Sequence, residues 1–320
     1  RTTMNAQDQT DTPQISAAAL RALTSIGAAG LFAFGLICWI AANWASFHRL
    51  TKLELVAGTL LVSALAAAVL PRVRVPALLL ATAAVGGLFA LIGQTYPSGA
   101  DAWQLFALWA ALALPFAIAA RHDVVWVLWT LVAGAAIGLW RMQESSGARF
   151  ENFAPAWAMA LAVATVLSPY VRLSRFLGDT TWAFRLTAFG AISLIAATGF
   201  EGLFRFDNSG DPAFVAAAFV LCVAAGGLAF ARPLEFGVMT LAVAGVDALV
   251  IARLYKTFFE DKFEIGGALS LAVLSTGIVF GSVALLRTIY GRAESEKGEK
   301  PDLDARISWP LAALSGFGAL

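Results

Sequence analysis

Apolar residues occur along this chain in long blocks, with short polar interruptions between them. Blocks lie near 25–42, 53–70, 75–94, 103–120 and 124–140 in the first half, and near 153–169, 182–200, 213–231, 234–253 and 265–286 in the second. A helix that crosses a hydrocarbon layer of about 30 Å needs about 20 residues, within a range of roughly 17–25. The blocks fit that length, none shows the period-2 alternation of a membrane barrel, and Ala and Leu dominate them. The pattern therefore predicts an all-α fold, a polytopic integral membrane helix bundle of about ten transmembrane helices.

The polar stretches divide the chain further. Residues 1–24 read as a cytoplasmic segment with a short helix, opened by Thr12 as a capping hydroxyl and Pro13 at the first helical position. No cleavage-type signal precedes the first block, so it reads as a retained helix. Residues 25–290 form the transmembrane bundle, and 291–307 form a charged, proline-containing linker. Residues 308–320 begin a further apolar helix that stops before it could span.

Composition narrows the classes. The chain is 59% hydrophobic and 13% charged with a mean hydropathy of +0.76, against about a quarter charged residues in soluble proteins. A formal charge of +1 supplies no basic tract, so nucleic acid is not an expected partner. Cys38 and Cys222 lie inside apolar blocks and read as small hydrophobes, with no companion ligands for a metal. Phosphate-loop, HExxH, GxSxG and paired-cysteine spacings are absent, and no cofactor is implied.

Orientation follows from the cations, because Lys and Arg stay on the cytoplasmic side. Of the 22 such residues, 13 fall on the face that holds both termini and 8 on the other, with Arg185 inside the seventh block. Both termini are expected to be cytoplasmic. Trp44, Trp103, Trp140 and Trp157 fall at outer block ends, and Trp126 and Trp182 at inner ends, as interfacial rings prefer. Gly134 with Gly138, and Gly277 with Gly281, are small-residue pairs suited to close helix packing.

Two segments exceed what spanning requires: AANWASFHRLTK at 41–52 and GQTYPSGADAWQLFALW at 93–109. Blocks one and three run in the same direction, so Asn43, Trp44 and His48 share a membrane face with Gln94, Tyr96 and Asp101. One reading makes these residues the polar mouth of a cavity for a headgroup or small solute. The competing reading is structural: amides at helix ends bond terminal carbonyls that lipid leaves unsatisfied, and Asp101 caps the helix that begins before Trp103. Asp247, about two-thirds along block nine, is the most costly residue by position. A carboxylate at such depth costs on the order of 2.5 kcal/mol or more, so it is expected to face the bundle interior, either as an interhelical hydrogen-bond partner or in a proton- or solute-linked role. It falls in the same half of the membrane as the polar cluster.

Together with GLFAFGLICWI before the first segment and GGLFALI before the second, these stretches resemble the bacterial membrane family called domain of unknown function 2157. The resemblance covers about the first 130 residues and places Trp109 among the characteristic positions. It implies a multi-pass protein of the bacterial cytoplasmic (inner) membrane, in contact with membrane lipids. It also implies a companion protein carrying a GDYxxLxY motif. The piece ISWPLAALSGFGAL resembles the opening of a second uncharacterised membrane domain found in longer fusions.

No reaction follows from the family. Three functions remain open from sequence: a permease-like or lipid-handling protein with Asp247 as an ionisable group, a non-catalytic scaffold or assembly subunit, and a membrane-embedded enzyme with Asp101 and His48 as acid and base. The last has no supporting constellation of residues.

Overall fold

The computed structural model describes residues 17–43, 46–95, 99–143, 150–171, 174–204, 211–231, 234–259 and 265–296. Those residues form helices and their connections. In chain order the helices are α1 (Ala17–Ala42), α2 (Arg49–Val69), α3 (Arg74–Thr95), α4 (Ala102–Ala120), α5 (Asp123–Gln143) and α6 (Phe150–Leu167). They continue with the four-residue α7 (Ser174–Leu177), then α8 (Thr181–Leu203), α9 (Asp211–Phe230), α10 (Phe236–Phe259) and α11 (Ile265–Glu296). Among the described residues, nine helices are long and apolar enough to cross a membrane, and α6 adds a shorter apolar stretch, Phe153–Leu167. The all-α membrane bundle expected from the pattern is the fold.

Helix limits follow local chemistry. Leu70 precedes Pro71 and is held at φ −113°, ψ 91°, out of the helical region, as the proline ring requires. That ends α2, and Pro71 opens a 3-10 turn, Pro71–Val73, which leads into α3. α4 closes on Arg121 in the left-handed conformation, φ 50°, with its N–H donated to the Ala117 carbonyl at 3.2 Å.

Two limits differ from the hydropathy reading. α1 is already helical at Ala17, so the described part of the N-terminal segment joins the first span without a break, while Pro13 lies outside the described residues. α11 continues to Glu296, past position 290 where the bundle is expected to end from the sequence. The extra turns are held by packing: Tyr290 meets Phe236 with ring centroids 5.0 Å apart, and Ala293 is buried. The linker beyond 296 and the apolar piece at 308–320 lie outside the described residues.

The chain separates into two compact units, Arg1–Ala136 with Phe176–Asp179, and Ile137–Arg175 with Thr180–Leu320. The division falls inside α5. In the first unit α3 is central, with α1, α2 and α4 packed against it. A buried cluster of Ile40, Val56, Ala84 and Leu91 joins α1, α2 and α3, with Leu36, Leu60 and Leu88 against it. In the second unit α8 packs on α6, α9 and α10, and α10 also meets α9 and α11. Gly199 makes the α8–α9 approach possible, because a Cβ there would come within 2.7 Å of the Ala217 Cβ.

Candidate functional site

The residues at the shared end of α1, α3 and α4 are mostly engaged by their own helices. Asn43, just past α1, donates its side-chain amide to the Trp39 carbonyl at 2.9 Å, which satisfies one of the carbonyls left open at a helix end. Asp101 stands in extended geometry at the N-cap of α4, where its backbone N–H donates to the Gln104 side-chain oxygen at 3.2 Å. His48 occupies the N-cap position of α2, exposed, and makes no side-chain cap bond. Trp44 and Tyr96 lie outside the described residues.

Gln94 is different. Near the end of α3, it lines a cavity of about 370 Å³ whose other walls are Ile37, Ile40, Ala41, Val56, Gly87, Ala90 and Leu91. The end of α1 and the end of α3 thus share one cavity, as their common direction predicts. Its walls are apolar except for that one amide.

A second, larger crevice of about 640 Å³ runs along the opposite halves of the same three helices. Phe32, Gly58, Val62, Ala66, Val73 and Leu80 are among its walls. The hydroxyls beside it are spent locally: Thr59 donates to the Leu55 carbonyl at 2.8 Å and Ser63 to the Thr59 carbonyl at 2.7 Å. What remains is a hydrocarbon surface. Between the two spaces, Leu36 and the Ile40 cluster close α1 against its neighbours.

Trp109 is a packing residue. Its indole N–H donates to the Thr82 carbonyl in α3 at 2.8 Å, and its ring covers Gly86 so closely that a Cβ there would overlap it. Trp129 repeats the device one helix on, donating to the Ala110 carbonyl at 2.8 Å. Trp126 is buried and donates to the Leu177 carbonyl at 3.0 Å. A neutral donor of this kind bonds a backbone carbonyl, mid-helix at Thr82 and Ala110 and at a helix end at Leu177, without bringing charge into lipid.

In the second unit Asp247 lies at the middle of α10, deeper than the hydropathy limits placed it, because α10 extends to Phe259. Its Oδ1 accepts the Ser282 hydroxyl of α11 at 2.8 Å. Arg253 lies over the Phe214 ring, 5.9 Å from its centroid.

Two ion pairs escaped the sequence reading. Arg141 at the end of α5 meets Glu201 near the end of α8 at 3.2 Å, with the Arg141 side chain 8% exposed and that of Glu201 46%. Arg185 near the start of α8 meets Glu235, just before α10, at 3.0 Å, and also lies over the Trp182 ring at 5.1 Å. The signal was present in the register. Arg141 and Glu201 each follow by one residue the end of a block, the fifth and the seventh, which run in the same direction, so topology already placed them on one face. Near the second pair, Tyr170 lies in the turn after α6, where burial first, and then the Glu235 carboxylate, push its phenol above the ordinary value.

Among the described residues no group of three or more His, Cys, Asp or Glu could hold a metal ion. His122 accepts the Val124 N–H on its ring Nδ1 at 3.3 Å. No curated protein and no solved structure matches the chain. Over residues 2–126, from ahead of α1 into the first turn of α5, the chain matches the model of the family described as predicted membrane protein (DUF2157).

Proposed function

We propose that this is a lipid-handling, non-catalytic membrane protein, in which hydrocarbon tails occupy the spaces beside α1. The observation that carries the reading is the apolar cavity that ends at Gln94. A cavity with one amide at its rim suits an amphiphile, whose tail needs no partner and whose polar end needs few. The neighbouring polar residues favour the same view, because Asn43 and the Asp101 backbone are already committed to helix ends. On this reading Asp101 and His48 take no acid–base part, and Asp247 ties α10 to α11 through Ser282.

The test is lipid retention by the full chain purified in mild detergent, read by native mass spectrometry. Bound lipid is expected, and Ala90→Phe, which fills the cavity from an exposed wall position, is expected to reduce it. Retention that is unchanged by Ala90→Phe would remove the Gln94 cavity from the reading.

A second reading, an assembly subunit that holds the GDYxxLxY companion, draws on α11. Only 6% of its span is buried, and nothing lies within 4 Å of where a Cβ would stand on Gly277 or Gly281. Small residues with open space beside them suit a further helix.

A further inference from the structure

We propose that the larger crevice beside α1 binds an anionic phospholipid, with one acyl chain among Phe32, Gly58, Val62 and Leu80 and the phosphate on Arg72 and Arg74. The inference rests on the lipid-handling reading and adds a headgroup class to it.

Val73 is among the walls of the crevice, and Arg72 and Arg74 are its neighbours along the chain, in the turn that joins α2 to α3. Both arginines are exposed, and neither side chain has a hydrogen-bond or ion-pair partner among the described residues. Arginine is suited to phosphate because its planar donor fork matches the oxygens of the anion. The walls of both spaces are uncharged, and only the larger one has a wall residue with cations as its immediate neighbours along the chain.

Depth agrees with a lipid in one leaflet. From Val73 to Leu80 along α3, and from Ala66 to Gly58 along α2, the lining runs about 10–12 Å at 1.5 Å per residue. That is somewhat more than a third of a hydrocarbon core of about 30 Å, within the depth of one leaflet. The tail would meet a surface whose Thr59 and Ser63 hydroxyls are already bonded within α2, so the chain replaces bilayer hydrocarbon without stranding them. Gly58 has nothing within 4 Å of an added Cβ, which marks the open part of the crevice.

The experiment compares retention of phosphatidylglycerol and phosphatidylcholine with identical acyl chains by the full protein, using native mass spectrometry after exchange from mixed micelles. The wild type is expected to prefer the anionic lipid by about tenfold or more, because basic residues attract anionic headgroups. Arg72→Gln with Arg74→Gln is expected to bring the preference near unity while lipid is still bound. Gly58→Leu, which puts a side chain into open space and favours the helix, is expected to remove one bound lipid whatever its headgroup. Arg287→Gln, an exposed cation of α11, serves as the control and is expected to leave the preference intact.

A wild type with no headgroup preference would overturn the inference, as would a preference that survives loss of both arginines. If those results came with reduced lipid in Gly58→Leu or Ala90→Phe, the lipid-handling reading would stand and only the anionic site would fall. Lipid content unaltered by every variant would sink both.

Discussion

The two units solve the same problem, satisfying polar groups in lipid, by different means. In the first, tryptophans from successive helices donate to backbone carbonyls of the neighbouring element: Trp109 to Thr82, Trp129 to Ala110, and Trp126 to Leu177. In the second, α8 carries an ion pair toward each end, Arg185 with Glu235 and Glu201 with Arg141, and the carboxylate of Asp247 bonds Ser282 between α10 and α11. Arg185 and Glu201 are separated by about 24 Å along α8 at 1.5 Å per residue, somewhat less than the hydrocarbon thickness of about 30 Å. The ion pairs thus lie toward the ends of α8, whereas the indole bonds bring no charge and so carry no charge-burial cost at depth. The first unit also leaves two apolar spaces beside α1.

The comparison can be broken most forcefully in the first unit, where steric fit carries the fold. Gly178→Ala places a Cβ on the Arg121 carbonyl and forces a side chain into φ +79°, so a loss of about 2–4 kcal/mol is expected. Its thermal midpoint should fall while its salt dependence stays that of the wild type. A marginal change would show that the turn between α4 and α5 does not rest on segment 176–179.

In the second unit the expected losses are smaller and electrostatic. Glu201→Gln removes the charge opposite a buried Arg141 while keeping a hydrogen-bond acceptor. Because the glutamate is nearly half exposed, a loss of about 1 kcal/mol is expected, read as thermal stability in the same detergent. An effect insensitive to salt would argue against an ion pair as its source.

The smallest effect is the pH dependence at Tyr170. A phenol pushed up in the folded state binds its proton more tightly there than in the unfolded chain, so stability is full below about pH 10 and falls as pH rises through the raised value. Tyr170→Phe should flatten that alkaline decline and leave stability near neutral pH almost unchanged. A decline of equal steepness in both proteins would assign it to another group.

Much of this was legible along the chain. The spans of α2 to α5 and of α8 and α9 fall within a few residues of the apolar blocks, because a helix in lipid must begin and end where its own backbone bonds and flanking polar residues allow. The face shared by Asn43 and Gln94 followed from direction alone, and Ala41 and Gln94 do line one cavity. Their roles did not follow. Asn43 could equally have turned toward a ligand, and only its 2.9 Å bond to Trp39 shows where its amide is spent. Trp109 was marked by resemblance, but its hold on Thr82 and Gly86 needed the rotation of α4 against α3.

The sequence by itself determined the class, the spans and their alternating direction, since each depends on local length and hydropathy. Only the tertiary structure decided which side chains meet, as Asp247 with Ser282 and Arg141 with Glu201, and where helices stand apart beside α1. The reason is physical. A helix that is apolar all round has no polar face to orient it, so its rotation and its gaps are set by the shapes of its neighbours.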